Sequence, residues 1–269
     1  MSAPTLVAVA HGSRNPAAQA NIRALLAAVR AARPGLEVRE AFVELAAPSL
    51  PEVLRAVEGE VVVVPLLLGN GYHVAHDVAG VADFHRPGTP CAPALGPDPL
   101  LALALADRLA AAESAAESAT ESAAAAAAVS KKGDTPYCAV RGVTLCERGP
   151  VVLAAAGSSD PRSHADVDAM AVLLEQQLGR PVIPAYNSAT TPSVRDAVTA
   201  ARAMGRRSVS VATYLLSPGR FATEVQACGA DVVSAPLGVH PALVGLVLAR
   251  YDAARALTPS SSARRATLG

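Results

Sequence analysis

Three residues able to hold a metal ion stand at matching places along this chain. They are His11 in "VAHGSRNP", Glu44 in "FVELAAPSL" and His73 in "LLLGNGYHVAHD". Two imidazoles and a carboxylate suit a divalent transition ion and leave coordination positions open for water or a second ligand. One histidine beside an apolar run is more often structural. Three such residues at successive strand ends point to a site, because open α/β sheets bind ligands beyond the carboxyl ends of their strands.

The elements that must position them occur twice. "LVAVAHGSRNP" (6–16) and "VLAAAGSSDP" (152–161) share one form: apolar strand, Gly-Ser, polar pair, Pro. Amphipathic helical stretches follow at 17–32 and 162–178. Second strands, "LEVREAFVEL" and "PVIPAYNSA", lead to Pro48 and Pro192, which can begin helices. Third strands are "EVVVVPLLL" and "SVSVATYLL"; fourth strands are expected in "CAPALGPDP" and "VVSAPLGVHP", before apolar helices 99–115 and 241–256. Gly12 pairs with Gly157, Pro48 with Pro192, Gly71 with Gly219 and Pro99 with Pro241, offsets of 142 to 148 residues. Shared order at near-constant offset indicates internal duplication. Val-rich strands alternating with helices predict an α/β fold of two tandem, flavodoxin-like, doubly wound parallel-sheet domains.

The expected division is a domain at 1–110, an Ala/Ser/Glu-rich linker at 111–149, a second domain at 150–257 and a disordered tail at 258–269. The linker's Ala/Glu/Ser start has strong helix propensity and little to bury, so it could prolong the preceding helix into solvent. Neither linker nor tail reads as a site.

Matched positions that differ between the copies are informative. His11 falls opposite Ala156, Glu44 opposite Ser188 and His73 opposite Phe221. The ligand set is present in the first copy and absent from the second. For His76 and Asp77, support behind the ligands and plain helix N-terminal polarity both stay open. His85 and His164 are expected at the surface, and His240 in a turn.

Bulk composition narrows the class. Lys plus Arg equals Asp plus Glu at 23 each, so no overall field favours nucleic acid or an anionic membrane. Trp is absent and Phe and Tyr are few, which removes stacking platforms for bases. The N-terminus has no basic n-region or sustained apolar h-region, and no apolar run approaches the ~20 residues of a membrane span. A cytoplasmic location is expected, with Cys91, Cys138, Cys146 and Cys228 as reduced thiols. The spacing of Cys138 and Cys146 matches no common metal pattern.

"AHGSRNP", "FVELAAPSL" and "VVVVPLLLGNGYHVAHDV", in that order, resemble the CbiX/SirB family of sirohydrochlorin chelatases, lyases of sirohaem and cobalamin biosynthesis. "AGSSDP", "YLLSPGRF", "DVVSAPLGVHPAL" and "LARYD" resemble the degenerate C-terminal half of two-domain members. The resemblance spans about residues 5–110 and 150–256. It implies Fe2+ or Co2+ as substrate metal, no permanently bound cofactor, a tetrapyrrole substrate and, since a duplicated chain can close its own cleft, a monomer. The family's metal-handling histidines carry over to His11 and His73, and its acidic partner to Glu44.

The carboxylate rim of such a macrocycle would meet the turn that opens the first helix. Gly12 and Ser13 offer backbone N–H groups, and Ser13, Arg14 and Asn15 add side-chain donors. Gly69 and Gly71 would let the backbone approach the ring. Gly157, Ser158 and Arg220 of the second copy are expected in the opposite wall. A non-catalytic metal or tetrapyrrole carrier would use the same residues and differ only in turnover. A serine hydrolase built on Ser13 lacks the Gly-x-Ser-x-Gly elbow, and Ser158 persists in the copy without histidine. A phosphoryl-transfer histidine enzyme would need an Arg that "AHGS" lacks.

Overall fold

The computed structural model describes residues 3–69, 73–129, 149–204 and 208–257. In the first half, β1 (Thr5–Ala10), α1 (Pro16–Ala32), β2 (Val38–Phe42), α2 (Leu50–Ala56) and β3 (Val61–Pro65) alternate. A π-helix (His73–Gly80) then runs into α3 (Val81–His85), and α4 (Pro99–Val129) closes the half. The second half repeats the order: β4 (Val151–Ala155), α5 (Pro161–Leu178), β5 (Val182–Tyr186), α6 (Val194–Ala203), β6 (Ser210–Tyr214), α7 (Arg220–Gln226), β7 (Val232–Val233) and α8 (Pro241–Ala256).

Both sheets are parallel, ordered β2-β1-β3 and β5-β4-β6-β7. Every residue of β1, β3, β4 and β6 is buried, as expected for parallel strands covered on both faces. The expected fourth strand of the first half is reduced to one bridge between Val63 and Cys91. Pro90 and Pro93 flank Cys91, and proline cannot donate to a ladder. Pro48 and Pro192 stop just short of their helices; α2 and α6 begin behind Ser49 and Ser193, which cap them.

The last helix of each half crosses to the other. α4 packs on β6, β7 and α5, whereas α8 packs on β3 and α1. The exchange is reciprocal at the level of single hydrogen bonds. Arg108 of α4 donates to Leu237 O at 2.9 and 3.1 Å, and Arg250 of α8 donates to Leu95 O at 2.9 Å. One apolar core therefore joins the halves, with Leu101, Leu105 and Leu109 of α4 and Leu243, Val247 and Tyr251 of α8 among its members. α4 also buries Glu113 within the stretch expected to have little to bury. Its Oε1 accepts from Arg180 Nη1 and Ser210 Oγ, both at 2.7 Å. No helix among the described residues is long and apolar enough to cross a membrane.

Candidate metal and substrate cleft

The turn after β1 is fixed by glycine. Gly12 sits at φ 101°, and a Cβ there would collide with Glu44 O. Across this close approach Val43 N donates to Ala10 O and Glu44 N to His11 O, each at 3.0 Å. The exits of β1 and β2 are thereby stitched together, and His11 Nε2 stands 3.6 Å from Glu44 Oε1. Both side chains are about half exposed, 46% and 55%, so an incoming ion can reach them.

The third expected ligand belongs to the next strand exit. His73 is the first residue of the π-helix that follows β3. Such i→i+5 turns occur often at functional sites. The side chains of His73 and His76 lie outside the described residues, as does Gly71. Among the described residues no three His, Cys, Asp or Glu side chains group closely enough to hold a metal ion. His11 and Glu44 form one close pair of such side chains.

A cleft of about 650 Å3 opens at these strand exits, between the two halves. From the first half it is lined by His11, Gly12, Ser13, Gln19, Leu68 and Gly69. The second half contributes Ser158, Ser163, Tyr214, Ser217 and Phe221. Phe221 thus lines the cleft from the position matched to His73. Tyr214 crosses between the halves: its hydroxyl donates to Leu68 O at 2.8 Å. Burial pushes the Tyr214 phenol well above its ordinary range, with Asp166 and Asp98 adding to the effect, so it is a neutral donor.

Ser13 and Ser158 play matching parts. Ser13 Oγ accepts from Asn15 N and Ser158 Oγ from Asp160 N, both at 3.1 Å. A serine doing the same work in both halves is a turn residue, which weighs against a nucleophile at Ser13. Asn15 does not line the cleft; its Oδ1 caps α1 by accepting from Ala17 N at 2.9 Å. Arg14 is exposed beside it and also lies off the cleft lining. The second half does form the opposite wall, through Gly157 and Ser158 among others, while Arg220 lies off the lining, its guanidinium 4.9 Å over the Phe221 ring and 3.7 Å from Glu224.

The remaining histidines separate cleanly. His85 is exposed, as expected. His164 is half-buried rather than exposed: its Nε2 donates to Ser158 O at 2.6 Å and its ring lies 5.5 Å from Tyr186. In the first half Gln19 Nε2 makes the same bond to Ser13 O at 2.8 Å. His240 does serve a turn, capping α8 through Ala242 N at 3.2 Å and pairing with Asp107 at 3.2 Å. Sequence reasoning missed Ser163, Tyr214 and Ser217. The polar run 158–164 was the available signal for the first; the others sit in apolar or turn-like contexts.

The fold has solved relatives. SirB from Bacillus subtilis with Fe3+ is 24% identical, with 94% of this chain and 96% of that chain covered and a TM-score of 0.69. The sirohydrochlorin chelatase SirB from Bacillus subtilis subspecies spizizenii in complex with cobalt is 23% identical over 94% and 95%, at a TM-score of 0.68. CbiX, the terminal enzyme for biosynthesis of siroheme in denitrifying bacteria, is 20% identical over 93% and 98%, at 0.61. Among curated proteins none matches the chain. The CbiX family model matches residues 5–112 and again 150–254, most of the chain in two copies, so the chain belongs to the CbiX family.

Proposed function

We propose that this protein is a sirohydrochlorin chelatase that inserts Fe2+ or Co2+ into its tetrapyrrole substrate. The observation that carries the proposal is that His11, which lines an interdomain cleft in a CbiX family member, stands 3.6 Å from the Glu44 carboxylate just off that lining. Metal insertion exchanges one divalent ion for two pyrrole protons. Neutral imidazole nitrogen binds such ions well. A carboxylate beside it can share the ion or accept a departing proton. His73 is assigned as the third donor because it opens the helical segment that follows β3, the strand paired with β1. An incomplete protein cage is an advantage here, since the ion must leave for the macrocycle.

Gly12, Ser13 and Gly69 of the first half and Ser158 of the second are the proposed contacts for the substrate's carboxylates and ring face. Ser13 and Ser158 each accept from a backbone N–H, which leaves their own hydroxyl protons to donate across the cleft. The working unit is one chain in the cytoplasm. A shared core already supplies both cleft walls, and Cys91 and Cys228 are free thiols. No resident cofactor is invoked.

The test is anaerobic absorbance of the protein with sirohydrochlorin and Fe2+ or Co2+, wild type beside His11→Ala. Conversion above the metal-only background, reduced about a hundredfold or more in the variant, is the expected result. Spectral shifts without turnover would make the protein a carrier. An unchanged rate in His11→Ala would remove the assignment.

A further inference from the structure

The second half has Ala156, Ser188 and Phe221 where the first has His11, Glu44 and His73, yet it reaches into the strand exit that leads to His73. Tyr214, the last residue of β6, is 3% exposed and its hydroxyl donates to Leu68 O at 2.8 Å. Leu68 lies three residues beyond the end of β3 and five before His73. A third segment closes on the same point. A Cβ on Gly96 would collide with the Tyr214 hydroxyl, so the loop before α4 passes the contact without a side chain. Leu67 O is held as well, by Leu95 N at 2.8 Å.

The matched carbonyl in the other half is also held across the divide. Asn21 of α1 donates through Nδ2 to Leu216 O at 3.2 Å and to Ser217 Oγ at 2.8 Å. The two partners differ in kind. Asn21 is half-buried and reaches a wall with no ligand, whereas Tyr214 is a rigid, buried ring aimed at the ligand-bearing wall. Position 66, matched to Tyr214, is a leucine with no hydroxyl to return the bond.

We propose that Tyr214 is a positioning residue for metal capture: its hydroxyl, donated from the half without ligands, fixes the β3 exit at Leu68 and so sets where His73 starts relative to His11 and Glu44. This rests on the chelatase reading of the first half. The role is indirect, since Tyr214 acts through a backbone carbonyl. Outer partners that orient ligands typically matter by about tenfold or more in metal affinity.

The molecule contains its own control. Tyr251 of α8 is also fully buried and also bridges the halves by one hydroxyl, donating to Pro4 O at 2.7 Å. Pro4 precedes β1, at the opposite end of the sheet from the cleft. Tyr251→Phe and Tyr214→Phe each delete a hydroxyl that donates to a backbone carbonyl of the other half; Tyr251 also meets Arg255, and only Tyr214 lies at the site.

The experiment titrates Co2+ alone into the full chain and its Tyr214→Phe, Tyr251→Phe, Gly96→Ala and His11→Ala variants. It follows the Co2+ visible spectrum, with urea midpoints measured in parallel. The expected result is similar urea shifts for both tyrosine variants but Co2+ affinity weaker by about tenfold, with an altered spectrum, in Tyr214→Phe only. Gly96→Ala, which presses on the same contact from the third segment, should reproduce that signature if Tyr214→Phe cannot be folded. Wild-type Co2+ binding by Tyr214→Phe, or equal weakening by Tyr251→Phe, overturns the proposal. If His11→Ala also binds Co2+ as wild type does, the metal-site reading beneath it has failed instead.

Discussion

The turns after β1 and β4 share a backbone and differ in chemistry. Gly12 and Gly157 both take positive φ, 101° and 89°, and in each a Cβ would collide with the carbonyl of the facing loop. Leu45 and Ala189 both sit at φ near 60° inside a turn closed two residues apart, by Ala46 N to Glu44 O and Thr190 N to Ser188 O. On this common frame the first half places His11 and Glu44, 3.6 Å apart. In the second half Ala156 has nothing to offer, and Ser188 Oγ turns back to donate to Ala156 O at 3.0 Å. Backbone strain at an active site is often read as part of the mechanism. Here the half without His11 and Glu44 keeps the same strained turn, so the turn belongs to the scaffold and the proposed chemistry rests on the two side chains.

A second contrast lies where the exchanged helices meet the sheets. Leu36 and Val62 of the first half are buried and apolar. By strand register their counterparts are Arg180 and Ser210, which surround the buried Glu113 of α4. Glu113→Ala leaves the Arg180 charge buried without its partner and should lower stability by about 3–5 kcal/mol in urea unfolding. Converting Glu113, Arg180 and Ser210 together to Leu, Leu and Val should recover most of that loss or exceed it. If the triple variant were no better than Glu113→Ala, the polar network would be doing more than fill an apolar slot.

The shared core predicts the next effect. Leu105→Ala empties a fully buried position on α4 and should cost about 2–5 kcal/mol. Calorimetry should show one transition, since α4 and α8 tie each sheet to the other half. Two resolved transitions would break the picture of exchanged helices.

Much of this was legible in the sequence. Duplication, the alternation of strands and helices and the placing of His11 and Glu44 on one rim follow from repeated strand–turn–helix segments and from the rule that parallel strands present their carboxyl ends together. The helix exchange was not. Periodicity shows that α4 has a buried stripe, and nothing in it says which sheet covers that stripe. Asn15 and Arg14 read as donors for an anion because a Gly-Ser turn opens a helix; Asn15 instead serves the helix itself. His164 read as exposed because its bond goes to a carbonyl in its own turn, and a side chain-to-backbone contact leaves no sequence pattern. Cys91 read as part of a strand from its neighbours' apolarity, which the flanking prolines override.

Smaller changes sharpen the contrast between the two turns. Gly12→Ala and Gly157→Ala should each cost at least about 1–3 kcal/mol, since both force a Cβ into a carbonyl at positive φ. Only Gly12→Ala should also abolish Co2+ capture. Loss of capture in a folded Gly157→Ala would mean that the second turn holds an ion after all.

The smallest effect concerns the seam between α1 and α8. Arg33 donates to both carboxylate oxygens of Asp252, at 2.6 and 2.7 Å, and holds that carboxyl below its ordinary value. A depressed folded value means the pair stabilises above the ordinary carboxylate range and is lost as pH falls through the folded value. Both groups are partly exposed, so the contribution should stay below about 1 kcal/mol. Urea midpoints between pH 3 and pH 6 for wild type and Asp252→Asn should therefore converge toward the acid end. Curves that stay parallel would show that the pair does not contribute.

One metal site is expected in a twofold scaffold. Counting Co2+ bound per chain at equilibrium, in wild type and in a His11→Ala/Glu44→Ala variant that still unfolds cooperatively, tests that most directly. The prediction is one ion per chain, lost in the double variant. Two ions per wild-type chain, or one ion retained without His11 and Glu44, would contradict it.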